Sequence, residues 1–369
     1  MEVIEELFKE KTNSVSFLEL KTREDINFPL PVVTDNLLEE IHKGGAEEEI
    51  DLTLVIEGMV YVLGTDKDFK YSQEYMGFLN KYSDNVEEYI LYKGLKQLES
   101  GDILDAGILF RGLLQVNKDN HKARFNYALV IEEIAKKRVE EDIDVDVDDI
   151  ILEAMNQLEY IIEVDEGFSL AYYKLGYYYR HFQQFIKAKL TWEKFLNIDG
   201  EDLVKQEIRE QNEIIEDEVN YEMGFTYYSY NDFGKALDAF LKLFPSQKDN
   251  WNINYLVALS YKGMEDYDLA VEYLDYALEL NDEEADLYNE LGVVYFLMGD
   301  IVKAIDALSK GIDKIDWDYK LYFNRGLGFV QLGEYKRALE DINASYNLNP
   351  NDENVLKQKA EIESFLDTI

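Results

Sequence analysis

The chain has 369 residues, with 77 acidic against 37 basic side chains for a formal charge of −40, no cysteine and four prolines. That charge repels the phosphates of nucleic acid and the anionic head groups of membranes, and the lack of cysteine removes disulfides, thiolate nucleophiles and zinc–thiolate sites. Hydrophobic residues at 47%, including 28 tyrosines, supply enough apolar surface for a folded body, and so few prolines permit helix over most of the length.

Residues 1–52 open with Met1-Glu2-Val3-Ile4-Glu5-Glu6, acid where a secretory leader needs a basic stretch, and no run of about 18 apolar residues occurs anywhere. A cytoplasmic location without a membrane span is expected. After a short helix, Val15, Phe17, Leu18 and Leu20 beside Phe28-Pro29-Leu30-Pro31-Val32-Val33 predict an extended or hairpin-like stretch, and a further helix runs from about Asn36 to His42. The segment stands outside the period described next and reads as a capping or accessory element.

From residue 53 a period of 34 sets in. Val60, Leu63, Phe69 and Ser72 open it weakly, and Gly94, Gly101, Ile103, Ala106 and Phe110 carry it on. The unit holding Ala128, Ile131, Ala154 and Leu158 is 48 long, its insert lying between its two helices around Lys136 to Asp149. The next, with Gly176, Tyr179, Phe185, Ala188 and Trp192, is also 48 long, and its extra residues around Leu203 to Glu216 are expected to lengthen the flanking helices. Gly224, Tyr227, Phe233 and Ala236 then lead into three further units in register, marked by Ala258, Tyr261 and Ala270, by Gly292, Tyr295, Gly299 and Ala304, and by Gly326, Phe329, Gly333 and Ala338. Eight units start near 53, 87, 121, 169, 217, 251, 285 and 319 and end at 352, and residues 353–369 predict a C-terminal capping helix.

Each unit reads as two antiparallel helices. Tyr288, Leu291, Tyr295 and Phe296 recur at three- and four-residue steps, a buried helical stripe, and Gly299-Asp300 and Gly333-Glu334 supply the turns. No unit hides its apolar face alone, so neighbours must stack. In Tyr322, Gly326, Phe329, Gly333, Tyr335, Ala338 and Pro350, and in Tyr288, Leu291, Gly292, Tyr295, Gly299 and Ala304, the chain resembles the tetratricopeptide repeat family. It departs from the pattern where Asp316, Asp282 and Lys118 stand in place of the unit-ending proline. The resemblance implies an all-α, right-handed superhelical solenoid with a concave groove lined by first helices, and a non-catalytic scaffold or adaptor function.

Inward-facing positions implied by that geometry include Phe125, Leu129, Tyr173, Lys174, Tyr177, Arg180, His181, Tyr221, Phe225, Tyr228 and Tyr255, an aromatic lining suited to a protein or peptide segment. Lys174 and Arg180 belong to the one basic window, Ser169 to Gly200, and would favour an acidic segment or a free carboxylate. The Lys and Asn array with which some members clamp a C-terminal carboxylate is not expected here. Its nearest fragment is Lys320 with Asn324, and the preceding units offer Asn289, Leu259 and Tyr255. An alternative is a peptide-sensing regulator whose N-terminal segment acts on a second partner.

No catalytic constellation stands out. His42, His121 and His181 lie far apart without a nucleophile motif, and no glycine-rich loop leads into Lys-Ser or Lys-Thr. No cofactor is expected. The acidic insert at 140–149 spaces carboxylates somewhat like a calcium loop, but Val147 stands where the sharp turn needs glycine.

Overall fold

The computed structural model describes residues 2–19, 27–42, 51–141, 147–198 and 201–368. They form two compact units, Met1–Glu210 and Gln211–Ile369.

The first unit starts with α1 (Glu2–Glu10), a 3-10 turn (Lys11–Ser14), and strands β1 (Val15–Leu18) and β2 (Leu30–Val33), paired antiparallel with Val15 opposite Val33 and Leu18 opposite Leu30. After α2 (Thr34–His42) comes α3 (Leu52–Thr65), started by the Asp51 carboxylate, which accepts the Thr53 N–H at 2.9 Å. Every residue from Val55 to Thr65 is buried, so this helix needs partners on all sides. Its glycines admit them: a Cβ on Gly58 would lie 2.1 Å from the Pro31 carbonyl oxygen, and one on Gly64 would lie 1.9 Å from that of Ile108. Helix α3 therefore packs chiefly on β2 and on α6 (Ile103–Val116), not on α4 (Ser72–Leu79), the partner that the period implies. Glu57, 2% exposed, is satisfied by Asn36 Nδ2 (2.9 Å), the Tyr89 hydroxyl (3.2 Å) and Lys93 Nζ (3.1 Å).

Helix pairs follow: α5 (Ser83–Ser100) with α6, α7 (His121–Glu140) with α8 (Val147–Val164), and α9 (Ser169–His181) with α10 (Phe185–Asn197). The first insert lengthens α7 and α8 to 20 and 18 residues, against 13 in each of α9 and α10. Residues 142–146, which carry much of the acidic insert, lie outside the described residues. The second insert departs from expectation, for residues 202–214 form a separate helix, α11 (Asp202–Ile214). Ile208 is wholly buried and gives α11 its own apolar anchor, and the turn at the buried Ile215 ends it.

The second unit pairs α12 (Glu216–Ser229) with α13 (Phe233–Leu241), adds the short α14 (Phe244–Gln247), and continues with α15 (Trp251–Gly263) and α16 (Tyr267–Leu280), α17 (Ala285–Leu297) and α18 (Ile301–Lys314), and α19 (Tyr319–Gln331) and α20 (Tyr335–Leu348). Each second helix packs on the next first helix, and α21 (Glu353–Leu366) buries Val355 and Ile362 beside Ile342 of α20. This is the all-α repeat architecture, in which the core is a series of small interfaces.

The turns inside these pairs are built alike. Asn231, Glu265, Gly299 and Gly333 take φ of 59°, 65°, 79° and 76°. The next N–H then reaches back five residues, Asp232 to Tyr227, Asp266 to Tyr261, Asp300 to Tyr295 and Glu334 to Phe329, at 2.9 to 3.0 Å. Asp232, Asp266 and Asp300 finally cap the second helix by accepting the N–H of Lys235, Leu269 and Lys303.

Candidate functional site

The candidate residues divide between the two units. In the first, Phe125 and Leu129 lie half-buried on α7, with the Phe125 ring 5.5 Å from that of Phe168. On α9, Gly176 leaves room for Trp192 of α10, whose indole Nε1 donates to the Tyr173 carbonyl at 3.1 Å. Tyr177 packs edge-on at 5.0 Å from Trp192 and 5.3 Å from Tyr173. Both tyrosine hydroxyls donate to Glu207 of α11, that of Tyr173 at 3.0 Å. Burial, then the bonds to Glu207, raise both hydroxyls above the ordinary phenol range, so they stay protonated donors.

Lys174 points to a different acid. Its Nζ lies 2.6 Å from Glu132 of α7, which also takes Lys136 at 2.8 Å and the Tyr178 hydroxyl at 2.7 Å. Burial would raise the Glu132 carboxyl, but the bonds from Lys136, Lys174 and Tyr178 outweigh it and hold the group down to about 2. His181 Nε2 is 2.8 Å from Asp148, and Arg180 lies half-buried one residue before it. The structure thus gathers Tyr173 with Tyr177 on one carboxylate and sends Lys174 to another.

In the second unit, the tilted rings of Tyr221 and Phe225 lie 4.9 Å apart, Phe225 meets Phe240 edge-on at 5.9 Å, and Tyr228 meets Phe233 edge-on at 5.3 Å. Phe225 is 43% exposed. Tyr255 is half-buried on α15, its hydroxyl pushed up by burial and by Glu290 and Asp286. Polar pairs tie successive first helices together: Asn252 to the Tyr221 hydroxyl at 3.2 Å, Lys262 to Glu290, and Asn324 to Asn289 at 3.1 Å. Lys320, the lysine of the clamp fragment, is 3.5 Å from Asp286.

Sequence reasoning missed Glu132, Tyr178 and Glu207. For the first two, a signal existed in the four-residue step from Glu132 to Lys136 and the four-residue step from Lys174 to Tyr178 on facing helices. Glu207 lies in an insert that no periodic argument places. Among the described residues no group of three His, Cys, Asp or Glu side chains is arranged to hold a metal, and no helix is long and apolar enough to cross a membrane.

The sequence profile of the tetratricopeptide repeat family matches residues 255–320 and again residues 319–352. Residues 255–352 are tetratricopeptide repeats. A curated relative, the BBSome complex member BBS4 of Bos taurus, is 31% identical over 105 residues, or 28% of this chain. The chain spans 20% of that relative's length. Among solved structures, MamA aligns with a TM-score of 0.37 at 21% identity over 41% of this chain and 82% of its own. A tetratricopeptide repeat protein from Parabacteroides merdae aligns with 0.36 at 16% identity over 75% and 98%.

Proposed function

We propose that this chain is a non-catalytic scaffold that binds a protein or peptide segment on the aromatic faces of its first helices. The observation that carries this reading is Phe225, 43% exposed yet braced by Tyr221 and Phe240. An open ring on a rigid backing offers contact area at little cost in entropy, the property of an aromatic anchor. Tyr173 and Tyr177 offer a second aromatic pair, steadied by Glu207. An acidic segment near Lys174 and Arg180 would have to compete with Glu132, so aromatic contact rather than charge supplies the affinity there.

Residues 1–52, in their described parts, serve in this reading as the cap of the array, since Phe8 and Val32 are wholly buried. The test compares proteins captured from a lysate by the wild type and by the Phe225→Ala variant. Loss of a stoichiometric partner at unchanged helicity supports the proposal, and identical recovery by the two proteins refutes the role of Phe225.

A further inference from the structure

A cavity of about 500 Å³ opens in the first unit where α1, α6, α7 and α8 meet. That volume falls within the range of small-molecule sites. Its charge runs against the rest of the chain. Lys67, Arg111, Lys118 and Arg124 line it, against the carboxylates of Glu5 and Glu153, whereas the whole sequence carries −40.

The donors there are only partly used. Arg111, 7% exposed, gives Nη2 to Glu5 at 2.6 Å and stacks over Phe8, but its Nη1 has no hydrogen-bond partner among the described residues. Arg124 bonds Gln157 and the Lys118 carbonyl and lies 4.0 Å over the Tyr160 ring, and its Nε is likewise buried without a partner. A buried donor left unmade costs free energy, and a guanidinium N–H is a donor that an oxyanion satisfies. Glu153 is occupied by Gln157 Nε2 at 2.8 Å. Glu5 already demonstrates the chemistry, for it is a carboxylate seated on Arg111 and 3.7 Å from Lys67.

We propose that this cavity binds a small soluble oxyanion, a phosphate or carboxylate group, on Arg111 and Arg124, with Glu5 of α1 as the built-in competitor. A chain of this net charge repels anions at long range, but salt screens that beyond about 10 Å at 0.1 M, so the local cations decide. The residues differ from those proposed for the partner, so this site stands or falls separately from the scaffold reading.

The full chain is titrated by calorimetry with inorganic phosphate and, separately, with citrate, at fixed ionic strength made up with chloride. Saturable binding of at least one, weakened tenfold or more in Arg124→Gln with Lys118→Gln and tightened several-fold in Glu5→Gln, is expected. The two probes separate phosphoryl from carboxylate ligands. No saturable heat with either at 10 mM by the folded wild type overturns the proposal. So does binding that all three substitutions leave unchanged. Should Glu5→Gln destabilise the fold, the Arg124 and Lys118 variants, which leave the α1 contact in place, still decide.

Discussion

Arg325 of α19 grips Asp341 of α20 with two parallel bonds, Nε at 2.7 Å and Nη2 at 2.8 Å, while its remaining Nη1 donates to Ser309 of α18 at 3.1 Å. Asp341 is 6% exposed. Removing Asp341 leaves the half-buried Arg325 guanidinium without its carboxylate, so Asp341→Ala should cost about 3 kcal/mol in urea unfolding. Replacing both, Arg325→Met with Asp341→Leu, should cost much less than Asp341→Ala alone. A double-mutant cycle measures the difference.

Glu132 makes stability depend on acid. Its folded pKa of about 2 is below the unfolded carboxylate range, so its contribution is complete above about pH 4.5 and is lost as pH falls toward the folded value. The gap in unfolding free energy between wild type and Glu132→Gln should be roughly 2 kcal/mol at pH 7 and shrink steadily below pH 5. Chemical denaturation at a series of pH values reads it, and a gap independent of pH would remove Glu132 from the account.

Glu265 holds φ of 65° in a turn where Gly299 and Gly333 stand at the same point of the repeat. A residue with a Cβ is strained there by about 1 kcal/mol, and glycine is not. Glu265→Gly should therefore raise stability by up to about 1 kcal/mol, while Gly299→Ala should lower it by about as much. Thermal unfolding of both variants checks the pair of opposite signs.

Two glycines inside helices should respond unequally to alanine. At Gly64 the new methyl would meet the Ile108 backbone at 1.9 Å, which cannot yield without moving α3 from α6. At Gly326 it would meet the Ile342 side chain at 3.0 Å, which can turn aside, and the Ala338 carbonyl oxygen at 3.4 Å, an ordinary contact. Gly64→Ala should cost 3 kcal/mol or more by the usual measure of overpacking, and Gly326→Ala about 1 kcal/mol or less. Equal losses in denaturant titrations would show that the α3–α6 contact is soft.

These contrasts mark where the sequence was readable. The turns at Gly299 and Gly333 repeat every 34 residues with an acid after each, so pattern alone placed the helix ends, and the Val15 to Val33 ribbon followed from alternating apolar residues beside proline. Glu265 hid the same turn behind a side chain that rarely adopts it, and Asn231 behind one that does so less readily than glycine. Helix α3 misled for another reason, because periodicity reports which residues are apolar and not which neighbour buries them. At the candidate site, Phe225 and Tyr173 were legible as aromatic positions on first helices. The carboxylate that holds Tyr177 comes from α11, in an insert that no rule of spacing brings to α9, whereas Glu132, which holds Lys174, left only the faint signal of two four-residue steps on facing helices.

The placement of α3 bears on how the protein is made. Helix α3 finds β2 close by in the chain, but its other chief partner is α6, whose last residue is 116. During synthesis this largely apolar helix therefore leaves the ribosome with β2 already made to cover one face, while the face that α6 covers stays open until residue 116 has been added, a window in which a chaperone has work to do.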